Sequence, residues 1–140
     1  MKSILDYDVK QFIPQRSPMV MIDQLLEVED SFIKTLFLVL QANVFISNGK
    51  LGEPGLVENI AQTAAAYVGY TCFQNNVPVP IGYIAAIKEL DIYDLPPVGA
   101  SLVTEVRVLN KIMDFSMVKG EVRLGEKLLC SCEMRIMAKT

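Results

Sequence analysis

A carboxylate and an amide lie four residues apart near the start of a long apolar run. Glu58 and Gln62 share one face if residues 54–73 are helical, because side chains four apart are neighbours on a helix. Burying a carboxylate among apolar side chains costs free energy unless the group has partners or a chemical task. Burial can also tune such a group for acid or base work. Glu58 is therefore the candidate catalytic residue, with Gln62 beside it.

The sequence contains no histidine, which limits the chemistry that Glu58 can perform with partners from its own chain. A structural alternative exists for each candidate. The helix dipole alone favours a carboxylate such as Glu58 near a helix N-terminus. Gln62 is equally well interpreted as a buried amide whose hydrogen bonds are satisfied. The apolar surroundings favour a functional role for Glu58 over the structural alternative.

Composition excludes several functional classes. The net charge of −3 argues against nucleic-acid binding, and the longest apolar runs are too short to insert into a membrane. The N-terminus does not resemble a signal peptide, and three cysteines form an odd number. We therefore expect reduced thiols and a cytoplasmic protein. Cys130 and Cys132 are predicted to be small buried hydrophobes, and we assign no metal.

The elements that would position Glu58 are those of an α+β protein with one domain over residues 1–140. The helix predicted at residues 54–73 is apolar nearly all round, which is typical of a central, buried helix. A short helix is predicted at residues 9–13. Apolar content, despite poor alternation, predicts a buried strand at residues 19–29, and strand-like patterns predict further strands at residues 31–41, 81–91, 100–109, 115–124 and 127–138. In the last strand, the inward face is predicted to carry Leu128, Cys130, Cys132, Met134 and Ile136.

Four segments resemble, in order and spacing, the motifs of the 3-hydroxyacyl-[acyl-carrier-protein] dehydratases. The IPQRSPMVMID segment at residues 13–23 is similar to the family's Leu-Pro-His-Arg-x-Pro opening, which ends in Asp. Residues 54–62 resemble the Pro-Gly start of its central helix with the Glu and Gln that follow. Residues 81–87 and 96–99 resemble a later strand and a Pro-Gly turn. The resemblance covers essentially the whole chain.

This resemblance implies a hot-dog fold, in which an antiparallel sheet of about six strands wraps around one long helix. It also implies a homodimer, or a higher oligomer of dimers, with acyl tunnels at the subunit interface and no cofactor. The substrate would be an acyl thioester of acyl carrier protein or coenzyme A. By matching position, Glu58 would be the catalytic acid and Gln62 its neighbour. The backbone N–H groups of Gly55, Leu56 and Val57 would bind the thioester oxygen.

The sequence departs from the family at its catalytic histidine. Val44, before Phe45, occupies that position, and Gln15 replaces the histidine of the first motif. A missing general base typically costs about a hundred- to ten-thousand-fold in rate. We therefore expect an acyl-thioester-binding protein with atypical or lost dehydratase activity. The alternatives are a thioesterase that uses Glu58, and a non-catalytic partner subunit in a heterodimer with a histidine-bearing homologue.

Overall fold

One helix packs against a six-stranded antiparallel sheet in the computed structural model, which describes residues 2–139. The sheet order is β1-β2-β6-β7-β8-β5, and β3 pairs with β4 in a separate two-stranded ribbon. The bounds are β1 Gln24–Glu29, β2 Phe32–Leu38, β3 Ile46–Ser47, β4 Lys50–Leu51, α1 Glu53–Gln74, β5 Ile81–Ile92, β6 Ser101–Ile112, β7 Phe115–Leu124 and β8 Lys127–Lys139. The predicted α+β class and the hot-dog architecture are confirmed.

The central helix extends one residue beyond the prediction at each end. Pro54 occupies its first turn, where a missing N–H is tolerated, and Asn75 follows its last residue. The short helix predicted at residues 9–13 is present only as a 3₁₀ turn, Val9–Gln11, and a second 3₁₀ turn, Ile4–Asp6, precedes it. Each turn is only three residues long, because Ser3 and Asp8 hold single turns by capping and no longer apolar pattern extends them.

The first strand begins five residues later than predicted. The segment before it, residues 19–23, crosses the helix, and both backbone polar groups of Met21 are taken by helix side chains. A residue whose N–H and C=O are occupied in this way cannot join a strand ladder. β6 extends to Ile112, beyond its predicted end at residue 109. The turn between β6 and β7 is therefore shorter than predicted and consists of Met113 and Asp114.

The predicted inward face of β8 is correct from Cys130 onward and wrong at Leu128. Val122 of β7 pairs with Cys130, but the next residue of β7, Arg123, pairs with Leu128. Leu129 is therefore an extra residue in a β-bulge. It is 1% exposed, so Leu129 rather than Leu128 enters the core.

Two glycines set how closely the layers approach. A Cβ at Gly120 of β7 would lie 2.3 Å from Cγ2 of Ile60, so this glycine allows the helix to press against the sheet. A Cβ at Gly69 would lie 2.1 Å from the backbone oxygen of Phe12. Gly69 thus lets the N-terminal segment cross the helix, and that segment brings Gln15 towards Glu58.

Candidate active site

Glu58 and Gln62 are in direct contact. Nε2 of Gln62 donates a hydrogen bond of 2.8 Å to Oε2 of Glu58. Glu58 is partly exposed, whereas Gln62 is completely buried. The four-residue spacing on one helix face produces this pairing. The amide fixes one carboxylate oxygen and leaves the carboxylate able to bind a further group.

Gln62 is held from the opposite side by the segment that crosses the helix. Its Oε1 accepts from the backbone N–H of Met21 at 2.7 Å, and its Nε2 also donates to the backbone oxygen of Met19 at 2.7 Å. Both donors and one acceptor site of the amide are therefore occupied. Gln62 orients Glu58 and has no donor left for a ligand.

A second polar network fixes the buried side of the helix. Nδ2 of Asn59 donates to the backbone oxygen of Met21 at 2.7 Å, and Oδ1 of Asn59 accepts from the Thr104 hydroxyl. The hydroxyls of Thr63 and Thr35 lie 2.8 Å apart. All four side chains are completely buried. These contacts lock the rotation of α1 against the sheet, and hence the direction in which Glu58 points.

A cavity of about 240 Å³ opens beside Glu58. Its floor is the helix face of Ala61 and Ala65, and its far wall comes from the edge strand β5 and from β8. The lining residues are Gln15, Glu58, Ala61, Ala65, Gly82, Tyr83, Ile84 and Ile136. The polar groups of Glu58 and Gln15 thus border a chamber that is mostly apolar, which is the usual composition of a small-molecule site.

Two further cavities follow this chamber along the helix. A narrow gap of about 20 Å³ shares Ala65, Gly82 and Ile136 with it. A third cavity, of about 280 Å³, shares Val68 and Ile136 with the gap and reaches Thr71. Glu58 and Val68 are ten residues apart, which is about 15 Å along a helix. The three cavities therefore span about three turns of α1, with a constriction between the two larger ones.

The three other predicted binding residues lie at the helix N-terminus. Gly55 and Leu56 are buried, and Val57 is partly buried. The N–H groups of Gly55 and Leu56 donate to the backbone oxygen of Gly52 at 3.0 and 3.4 Å. The cavity beside Glu58 is lined by none of these three residues in the part of the chain described here.

The position of the family's histidine lies in an irregular segment between Val39 and β3. Val44 is 48% exposed, and it carries no titratable group. Its neighbour Asn43 donates to the Met21 sulfur at 3.3 Å and accepts from the N–H of Phe45 at 2.9 Å. The segment is thus ordered by Asn43, but it contributes no base.

The thiols of β8 are unsuited to chemistry at neutral pH. Burial raises the pKa of Cys130 to about 12 and that of Cys132 to about 11. Both face the core as free thiols, as predicted. No cluster of three or more potential metal ligands occurs within residues 2–139, and no helix in that range is long and apolar enough to span a bilayer.

The edge strand that walls the cavity is unusually apolar on its exposed surface. Along β5, Ile81, Tyr83 and Ile87 are 53%, 55% and 40% exposed. Among residues 2–139, this strand pairs with β8 alone, so its other edge presents backbone groups that are free of strand pairing there. An apolar edge with unpaired backbone groups is a typical surface for pairing with another chain.

The sequence profile of a family described as ApeP-like (ApeP dehydratase) matches residues 7–140. This chain belongs to that family. The ApeP-like chain is 26% identical over 133 residues to the 3-hydroxyacyl-[acyl-carrier-protein] dehydratase FabZ of Legionella pneumophila, covering 91% of this chain and 89% of the relative. It is therefore a dehydratase-like hot-dog protein, as the motifs indicated.

Solved structures agree on the fold. The dehydratase heterocomplex ApeI:P from Xenorhabdus doucetiae contains a chain that superposes with a TM-score of 0.90 at 17% identity, over 96% of this chain and 92% of that chain. A hypothetical thioesterase from Streptococcus pneumoniae, solved with coenzyme A, superposes with a TM-score of 0.68 at 8% identity, over 83% and 84%. At these identities, the superpositions establish the shared architecture.

Sequence reasoning found Glu58 and Gln62 but did not select Gln15 or Tyr83 as site residues. The signal for Gln15 was its position, because it stands where the related dehydratases have the histidine of their first motif. Tyr83 gave no comparable signal. It lies on a strand that was predicted from its pattern, and only the tertiary arrangement brings that strand to the helix.

Proposed function

We propose that this ApeP-like protein binds acyl thioesters and supplies Glu58 as the acid of a dehydratase site whose base comes from another chain. The observation that carries the proposal is a carboxylate, oriented by Gln62, beside an apolar cavity in a chain without histidine. On its own the protein lacks efficient dehydratase activity, because no side chain near Glu58 is a base at neutral pH. This is a partner-subunit function rather than that of a complete enzyme.

The row of cavities supports an acyl chain as the bound group. Its middle is lined by Ala65, Val68 and Ile136, which bury methylene groups favourably. Carrier protein and coenzyme A present the same thioester to such a site, so both remain candidate donors. Gly55, Leu56 and Val57 stay predicted thioester-binding residues. The N–H groups of Gly55 and Leu56 donate to the backbone oxygen of Gly52, so binding of the thioester oxygen there would require them to share those hydrogen bonds.

The reaction needs two groups acting on adjacent carbons of a 3-hydroxyacyl chain. A base removes the proton from the carbon next to the thioester carbonyl, and that electron pair forms the new double bond. The carbon–oxygen bond at the third carbon breaks, and the carboxylic acid form of Glu58 protonates the departing hydroxyl to give water. A proton then returns to the Glu58 carboxylate and leaves the base. The histidine of a homologous partner suits the base.

The apolar edge strand β5 supports a partner chain beside the cavity. Its residues Gly82, Tyr83 and Ile84 form a cavity wall on one side, and its free backbone edge faces outward. A chain paired along β5 would therefore close the site. The related ApeI:P structure is a heterocomplex, which favours a histidine-bearing homologue as that partner over a homodimer.

Three free cysteines favour a cytoplasmic location.

The test compares the protein alone with the protein co-expressed with a histidine-bearing homologue. Incubation with 3-hydroxyacyl carrier protein should give enoyl product only from the heteromer. Glu58→Gln in this chain should lower the heteromer rate by about a hundredfold or more. Glu53→Gln is the matched control, because Glu53 is an exposed carboxylate on the same helix. Full turnover by the protein alone, or an active Glu58→Gln heteromer, would refute the proposal.

A thioesterase is the second candidate function. It is favoured by the same absence of histidine, since Glu58 alone can activate a water or attack the thioester. Free thiol release from acyl-coenzyme A and acyl carrier protein measures it directly. Release that persists in Glu58→Ala excludes Glu58 as the catalyst, and release lost in that variant but retained in Glu53→Gln supports this candidate.

A further inference from the structure

Gln15 carries the single buried side-chain nitrogen or oxygen that lacks a hydrogen-bond partner within residues 2–139. The atom is Oε1, and the side chain lines the cavity beside Glu58. Buried polar groups in folded proteins are nearly always paired, and an unpaired one is a candidate for pairing with a ligand. Asn59, Gln62 and Thr63, which are equally polar and more deeply buried, are all paired.

The backbone around Gln15 is fixed, so the unpaired atom does not reflect a loose segment. Phe12 and Ile13, just before it, are buried in the core. The Arg16 guanidinium then closes the turn, because its Nη1 donates to the backbone oxygens of Ile13 and Gln15 at 2.8 and 2.7 Å. Rotation about the terminal torsion of the Gln15 side chain exchanges the amide oxygen and nitrogen, so either can be presented to the cavity.

The chemistry of the two polar groups that line the cavity defines the ligand group that both can bind. The Gln15 amide offers both a donor and an acceptor, whereas the Glu58 side chain accepts when ionised and donates when protonated. A hydroxyl both donates and accepts, so it pairs with Gln15 in either amide orientation and with Glu58 in either protonation state. A saturated or alkene carbon at that position of the acyl chain forms no such hydrogen bond with Gln15 or Glu58.

We propose that Gln15 determines specificity by binding the 3-hydroxyl of an acyl chain opposite Glu58, so that the site prefers 3-hydroxyacyl chains to enoyl and saturated chains. The inference rests on the proposed acyl-thioester function and adds a specificity-determining residue to it. Gln15 contributes to substrate selection and not to proton transfer, since an amide is neither an acid nor a base near neutral pH. Its side chain holds the hydroxyl where the acid can protonate it.

Binding of three carrier-protein thioesters with the same chain length tests this role. The 3-hydroxyacyl, enoyl and saturated forms are titrated against the protein in its complex with the histidine-bearing partner, with Glu58→Gln in this chain to suppress turnover. The hydroxyacyl form should bind about 2- to 10-fold more tightly than the saturated form, which is the range for one neutral hydrogen bond. Gln15→Met, close in volume and unable to hydrogen-bond strongly, should abolish that preference.

Two further variants separate recognition from a structural role. Gln15→His restores a group that donates and accepts, and it should retain the preference. Gln11→Met is the matched control, because Gln11 is exposed in the same N-terminal segment. Equal preference in Gln15→Met and the unsubstituted protein overturns the inference, as does an equal loss of affinity for all three chains. If no chain binds at all, the proposed function fails with it, whereas binding without preference overturns only the role of Gln15.

Discussion

On one side of α1, Asn59 and Thr63 are completely buried and hydrogen-bonded to the sheet and to the crossing segment. On the other side, Glu58 borders a cavity and has one hydrogen bond within the described residues, from Gln62. The two sides use similar polar side chains, and they differ in whether the donors and acceptors of those side chains are already paired. The satisfied side holds the helix in place. The unsatisfied side, with Glu58 and Gln15, is available to a ligand.

The largest stability effect is expected on the satisfied side. Asn59→Ala leaves the Met21 oxygen and the Thr104 hydroxyl without a partner, and each buried polar group left unpaired costs about 1–3 kcal/mol. We expect a loss of about 3 kcal/mol in the free energy of unfolding, measured by urea denaturation. Asn110→Ala is the control, because Asn110 is exposed on β6. Equal losses in the two variants would show that the network does not stabilise the helix.

The second prediction compares a glycine of the helix with a glycine of the cavity wall. A Cβ at Gly69 would lie 2.1 Å from the Phe12 oxygen, so Gly69→Ala forces the N-terminal segment around Phe12 away from the helix. The expected loss is about 2 kcal/mol despite the better helix propensity of alanine. At Gly82, a Cβ would lie 3.7 Å from Ile136 Cγ2, which is ordinary contact. Gly82→Ala should leave the melting temperature unchanged while narrowing the cavity. Thermal unfolding of both variants measures the difference in stability.

The third prediction concerns the unsatisfied side. Glu58→Gln keeps an oxygen that accepts the Gln62 hydrogen bond, and the side chain is only partly buried. Its unfolding free energy should change by no more than about 0.5 kcal/mol, in contrast to Asn59→Ala. Urea midpoints measured in one series give the comparison. A loss as large as that of Asn59→Ala would assign Glu58 to the structural network instead of the site.

The last prediction concerns the thiols of β8, whose ionisation is expected to affect stability least at neutral pH. Because burial raises the pKa of Cys130 to about 12, iodoacetamide at pH 8 should alkylate the half-buried Cys72 and spare Cys130 and Cys132 until the protein unfolds. Folding raises these pKa values, so their contribution to stability is full below the ordinary thiol pKa. It is lost as the pH rises above about 9, where the unfolded chain ionises first. Early alkylation of Cys130, detected by mass spectrometry, would contradict the buried placement.

Local chemistry made much of the helix predictable. Pro54 at its start, Asn75 and Asn76 after its end, and the apolar run between them gave its bounds to within one residue. The four-residue spacing of Glu58 and Gln62 gave their contact for the same reason, since both lie on one element. Asn59 and Thr63 lie on the same helix, but their contacts, to the sheet and to Met21, involve partners outside it.

Features that depend on a neighbouring element were not predictable. Leu129 replaces Leu128 in the core because of a bulge, and a bulge is defined by the register of β8 against β7. The late start of β1 depends on Gln62 and Asn59 capturing Met21, which lies about forty positions away in sequence. The cavity wall from β5 likewise follows from strand order rather than from any local pattern.

The wall of the Glu58 cavity belongs to the outermost strand of the sheet. Because Gly82, Tyr83 and Ile84 lie on β5, any chain that associates there reshapes the chamber without touching Glu58. The selectivity of the site for acyl chains would then depend on the sequences of both subunits. A change of companion subunit would alter which acyl chains are accepted while this sequence stayed the same.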